Sequence, residues 1–159
     1  MRCLVALILF CSAALAQAPP ARIGRLTPGM SEHQVISIQG PPQRREDFSG
    51  RLALAWLNPR DPRLVRLRVL FRERRVSSVW GQSLEVAGQL LVTGDPQSRA
   101  EALLGPPDSA SEHWVRQPSQ RLERVLHYRS GGFYLTVFLQ EGLVRSFRAG
   151  QAPWRYGSG

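Results

Sequence analysis

The chain has 159 residues, is 43% hydrophobic and 21% charged, and carries a formal net charge of +9 at pH 7. That length suits one compact domain or two small packed ones and excludes a peptide or a bare tail, while the charge favours anionic partners: acidic proteins, lipid head groups, lipopolysaccharide or nucleic acid. Both cysteines, Cys3 and Cys11, fall near the start, so the rest of the chain is excluded from disulfide, thiol-nucleophile and cysteine-metal chemistry.

Arg2, the apolar residues 3–10 and the small residues 12–16 form the three parts of a secretory signal. Cleavage is expected after Ala16, because a cut after Ala18 would put Pro19 directly behind the scissile bond. The apolar run is far shorter than the ~20 residues that span a bilayer, so the mature chain is expected to have no transmembrane span. Cys11 follows Ile8, Leu9 and Phe10, which are bulky where a lipidated cysteine wants small residues, and lipid anchoring is not expected. The protein should therefore be periplasmic or secreted. Nucleic acid drops out as a partner, leaving envelope proteins and peripheral contact with an anionic membrane surface.

Residues 17–25, with Pro19 and Pro20, read as a flexible arm. Residues 26–42 then recur, much altered, as residues 91–107, keeping the leucine, the first glycine and the closing Gly-Pro-Pro at a constant offset of 65. In the first copy Ser31 and Gln34 have the spacing of a capping box, with Met30 and Val35 as a hydrophobic staple. Gly40, Pro41 and Pro42 stop the helix after about two turns, too short to persist alone. Strand-like runs follow at 52–57, 64–71 and 76–80. In the middle run Val65, Leu67, Val69 and Phe71 alternate with Leu64, Arg66, Arg68 and Leu70, so the first set should pack under the helix and the arginines should face away, on a face that Leu64 and Leu70 make less polar than a plain solvated surface. Residues 83–90 form a connector in which Leu84 and Val86 suit a strand and Ala87 with Gly88 a bend.

The second copy restarts at Leu91, with Asp95 as the expected N-cap and Pro96 at the first helical position. Ala100, Leu103 and Leu104 supply its buried stripe, Gly105 closes it, and strands are expected at 123–128, 133–139 and 143–148. Leu67 and Leu135, Val69 and Val137, and Val76 and Val144 share an offset of 68, which puts a net three-residue insertion in the loop after Gly-Pro-Pro. The expected fold is α+β: two tandem repeats, 26–82 and 91–149, each a short helix or helix pair packed on a three- to four-stranded antiparallel sheet. Residues 150–159 remain as a tail.

Leu26, Thr27, Pro28, Gly29, Met30 and Ser31, then Gln34, Val35 and Gly40 with its two prolines, and finally Val76 to Trp80 resemble the SmpA/OmlA (BamE-like) family of outer-membrane assembly proteins. Two such units in tandem are similar to the beta-lactamase inhibitor protein-like folds. The resemblance implies short helices on antiparallel sheet and action by binding other envelope proteins, in outer-membrane assembly or maintenance. The alternative it carries is a secreted or periplasmic enzyme inhibitor.

No catalytic, metal or cofactor set stands out. His33, His113 and His127 are dispersed and lack an i, i+4 histidine partner, so solvent-facing or structural roles are expected. Glu46 with Asp47, and Asp108 with Glu112, are too sparse for a calcium loop. The expected activity is therefore non-catalytic protein binding without a cofactor. The candidate surface joins the basic residues Arg66, Arg68, Arg72, Arg74 and Arg75 to the aromatic residues Trp114, Trp154 and Tyr156, since arginine and large aromatics dominate interface energetics.

Overall fold

Helix α1 (Glu32–Gln39) begins where the capping box places it. The Gln34 amide donates to Ser31 Oγ at 3.3 Å and the Ser31 amide to Gln34 Oε1 at 2.8 Å, satisfying two of the donors that a helix start leaves open. Gly40 ends it at φ 77°, in the left-handed region that a side chain would strain. Its carbonyl accepts from Trp56 Nε1 at 3.2 Å, tying the helix end to the sheet. In this computed structural model the described residues are 18–48, 50–115 and 120–155; the signal expected over residues 1–16, the end of the tail and Tyr156 lie outside them.

The remaining elements are nearly all strand. After β1 (Ala21–Arg22) and α1 come β2 (Arg44–Phe48), β3 (Arg51–Leu57), β4 (Val65–Arg72), β5 (Arg75–Gly81), β6 (Ser83–Val86) and β7 (Gln89–Val92). Helix α2 (Gln97–Leu104) and strands β8 (Ser109–Val115), β9 (Arg121–Ser130), β10 (Phe133–Gln140) and β11 (Leu143–Gly150) complete the chain. Eight of the strands form one antiparallel sheet in the order β2-β3-β4-β5-β11-β10-β9-β8, and β1-β6-β7 form a three-stranded sheet.

This corrects the expected fold class. There are no two small sheets, each under its own helix: β5 and β11 pair edge to edge, Gly81 with Phe147 and Ser78 with Gly150, and fuse eight strands into one sheet. The physical reason is the bare edge that each four-stranded unit would otherwise present, since unpaired ladder groups are a liability. Strands β2 and β8 occupy what the sequence presented as variable loops after Gly-Pro-Pro. Their polar, weakly alternating residues, such as Arg44 to Asp47, hid them, because an edge strand need bury little.

One face of the large sheet carries the core. Leu54, Trp56, Leu67, Val69, Leu126, Tyr128, Leu135, Val137 and Phe147 lie buried with Val35 of α1 and Ala100 and Leu104 of α2. The small sheet joins them: Ala21, Ile23, Leu84, Val86 and Leu91 belong to the same cluster. Residues 18–25, expected as an arm, are thus packed down by Ala21 and Ile23, whose apolar side chains outweigh the mobility that Pro19 and Pro20 suggest. The connector is a hairpin that turns through Ala87 at φ 48° and Gly88 at φ 79°, as a right-twisted two-residue turn requires.

Helix α2 starts one residue later than expected, with Pro96 as the N-cap and no side-chain cap. Asp95 is otherwise engaged: its Oδ2 accepts from the Val92 amide at 2.8 Å and lies 3.5 Å from Arg99 Nε. The two helix entries are nonetheless tied to the sheet alike. Gly29 donates to the Val76 carbonyl at 2.7 Å and Gly94 to that of Val144 at 2.8 Å.

Candidate functional site

Among the described residues no helix or strand lies over the other face of the eight-stranded sheet. Strand alternation puts Arg66 and Arg68 there, opposite to the buried Leu67 and Val69. Pairing extends Arg68 into a row across the sheet: Arg44 beside Ala55, then Arg68, Trp80, Arg148, Thr136, His127 and Ser109. Trp80 and Arg148 face each other at the seam. They are 68 residues apart, the offset that relates the strands of the two halves, so the row is close to symmetric about them.

The floor of this face is buried although it stands outside the main core. Ala53, Ala55, Val125 and Phe138 are all inaccessible. Over it the side chains interlock. Arg68 reaches Glu46 at 3.7 Å, and Arg44 reaches the same carboxylate at 4.0 Å. The Arg148 guanidinium lies over the Trp80 ring at 5.8 Å and donates to the Ala152 carbonyl at 3.1 Å. Burial pushes its pKa down from the usual arginine value, because desolvation penalises the charged form; the ring face below offsets part of that cost.

Trp80 stacks on Phe138, with centroids 5.3 Å apart. Phe138 meets Trp154 edge to face at 5.0 Å, within the favourable range for aromatic pairs. Trp154 comes from the short segment after β11, which crosses the open face. Its ring lies 6.4 Å from that of His127 and 6.0 Å from that of His113. Between the histidines stands Ser111, whose Oγ is 2.9 Å from His113 Nε2 and 3.5 Å from His127 Nε2. Burial pushes the His127 pKa down, and His113 adds to the shift. A cavity of about 320 Å3 opens beside Trp154, lined by Asp108, Ser109, His127, Tyr134 and Pro153.

The candidate residues chosen from sequence are thereby sorted. Arg66, Arg68 and Trp154 lie on the open face. Arg72, Arg74 and Arg75 sit exposed at the β4–β5 hairpin tip, at the end of the sheet. Trp114 is not in a loop but in β8, paired with Leu122, on the helix-side face and 62% exposed; it cannot share a surface with Trp154. Sequence reasoning missed Trp80, Phe138, Arg148, Ser111, His113 and His127. Trp80 and Arg148 had a signal, their shared offset of 68. The histidines had none, because the polar, little-buried residues of β8 show no strand alternation that would fix the parity of His113.

No protein-family model matches the sequence, and no curated protein matches it. Solved structures do. The chain is similar to a cysteine-rich secretory protein from Staphylococcus aureus, at TM-score 0.56 and 14% identity over 84% of this chain and 46% of that one. It is also similar to an extracellular protein containing an SCP domain from Bacillus anthracis, at TM-score 0.50 and 10% identity over 77% of this chain and 43% of that one. The chain thus spans less than half of either neighbour, and at such identities the likeness is one of fold alone. It overturns the resemblance to the SmpA/OmlA, BamE-like family and to beta-lactamase inhibitor protein-like folds. Outer-membrane assembly and lactamase-type inhibition lose their support with it. Short motifs such as Gly-Pro-Pro after a capped helix mark a helix stop in any fold, which is why they misled.

Proposed function

We propose that the protein is an exported, non-catalytic binding module that docks an acidic partner protein of the cell envelope or surroundings on the open face of its large sheet. The observation that carries this reading is the row in which Trp80 lies between Arg68 and Arg148, over a floor that no other helix or strand among the described residues covers. Tryptophan and arginine held rigid on strands are the residue types that concentrate binding energy, and the excess of arginine over acids that remains once Arg2 leaves with the signal selects acidic partners and speeds their approach. Export is supported by Arg2 and the apolar run behind it. Among the described residues no helix is long and apolar enough to cross a membrane.

Affinity capture from envelope and culture-supernatant extracts tests the reading. Trp80→Ala or Arg148→Gln should weaken capture of the partner by about 2 kcal/mol or more, whereas Trp114→Ala, on the opposite face, should leave it unchanged. Loss at Trp114 with none at Trp80 would overturn the assignment of the face. The non-catalytic part has its own check: covalent labelling of Ser111 by a fluorophosphonate probe would show a reactive nucleophile beside the imidazoles and sink it.

A further inference from the structure

Two imidazoles that share no strand converge on a single hydroxyl. His113 on β8 and His127 on β9 both turn Nε2 toward Ser111 Oγ, at 2.9 and 3.5 Å. Seven consecutive register pairs, from Ser109 with His127 to Val115 with Arg121, hold the two strands to one another, and sites carried on paired strands keep their geometry better than sites on loops. We propose that His113 and His127 form a binding site for a divalent transition-metal ion of the copper, nickel or zinc class.

The geometry fits an ion in the place that the hydroxyl marks. Imidazole nitrogens ligate at about 2.0–2.1 Å, so each ring has to close in by roughly an ångström relative to Ser111 Oγ, a movement within reach of small side-chain rotations. His113 stands half-buried on the edge strand β8. Imidazole-only donors select copper, nickel and zinc over calcium and magnesium, which want oxygen. The electrostatics are mixed. Glu123, the register partner of His113, is buried on the same face and makes no ion pair among the described contacts, so its charge favours a cation; Arg121 and Arg129 on the same face of β9 oppose one.

Among the described residues no third histidine, cysteine or carboxylate completes the set. The site is accordingly open, with water or a ligand in the remaining positions, and its ion exchangeable. Trp154 is its built-in reporter, with its ring 6.0 and 6.4 Å from the two imidazoles.

The test is titration of the full chain with Cu2+, Ni2+ and Zn2+ at neutral pH. Saturable 1:1 binding is expected, with quenching of Trp154 fluorescence by Cu2+ and Ni2+. In the unmodified chain, Zn2+ should shift the imidazole resonances of His113 and His127 but not that of His33. His113→Asn and His127→Asn should each lower affinity about tenfold or more, while Ser111→Ala and His33→Asn retain it. The proposal is overturned if no saturable binding occurs up to about 1 mM, if the resonance of His33 moves instead, or if the double histidine variant, folded by circular dichroism, binds as well as the parent.

Discussion

At the scale of single residues, His127 is the group whose surroundings most clearly change its chemistry. Burial, and secondarily His113, lower its pKa below the ordinary imidazole value of 6.5. The folded state therefore favours neutral imidazole. That preference contributes stability fully present above the unfolded value and lost as pH falls through the lowered folded one. Denaturant midpoints at pH 7.5 and pH 5 should consequently differ more in the parent than in His127→Gln; equal losses would place the acid sensitivity elsewhere. The role of Ser31 is equally local. Ser31→Ala removes the hydroxyl that caps Gln34 and should destabilise by about 0.5–2 kcal/mol, read as a drop in the urea midpoint.

At the scale of elements, what the sequence displays is the half of each strand that faces the core. Leu67, Val69 and Phe71 alternate with Arg66, Arg68 and Leu70, and the structure buries all three of the first set. Helix α1 was legible because its stop and start signals are chemical: a hydroxyl, an amide and a glycine at fixed spacing. Strands β2 and β8 were not, because Arg44 to Phe48 and Ser109 to Val115 are set by pairing with a neighbour rather than by burial. The site suffered accordingly. Arg68 could be placed on the outer face from its parity, but His113 could not be placed at all.

The small sheet also packs by close approach rather than by pattern. A Cβ on Gly81 would come within 2.4 Å of Ile23 Cγ2, a separation that real carbon atoms do not adopt. Ile23 is β-branched and stiff, so it cannot swing clear. Gly81→Ala should cost about 1–3 kcal/mol by overpacking, and Ile23→Val in the same chain should recover little of it, because the γ2 methyl remains. Full recovery in that double variant would mean that the δ methyl, not the γ2 methyl, makes the contact.

At the scale of the whole molecule, the two faces of the large sheet differ: one holds the core, and the other is the face on which the proposed partner would dock. Because the offered face is basic, replacing Arg66 and Arg68 together by Gln should weaken partner binding more at low salt than at high. A loss that is independent of ionic strength would indicate damage to the fold instead. Arg68 also holds Glu46 at 3.7 Å, so the single variant Arg66→Gln, on an exposed side chain, separates charge from that contact.

The seam between β5 and β11 leaves one further consequence. Gly81 and Phe147 meet there although they are 66 positions apart in the chain, so this pairing is expected to close after the hairpins within each half. Until it closes, β5 of one molecule can accept β11 of another through the same four register pairs. A monomer and a strand-exchanged dimer are then built from the same bonds, differing only in the path of the chain between the halves. Refolding from denaturant should accordingly partition between the two, with the dimer fraction rising with protein concentration and persisting after dilution, because release requires the seam to be unzipped.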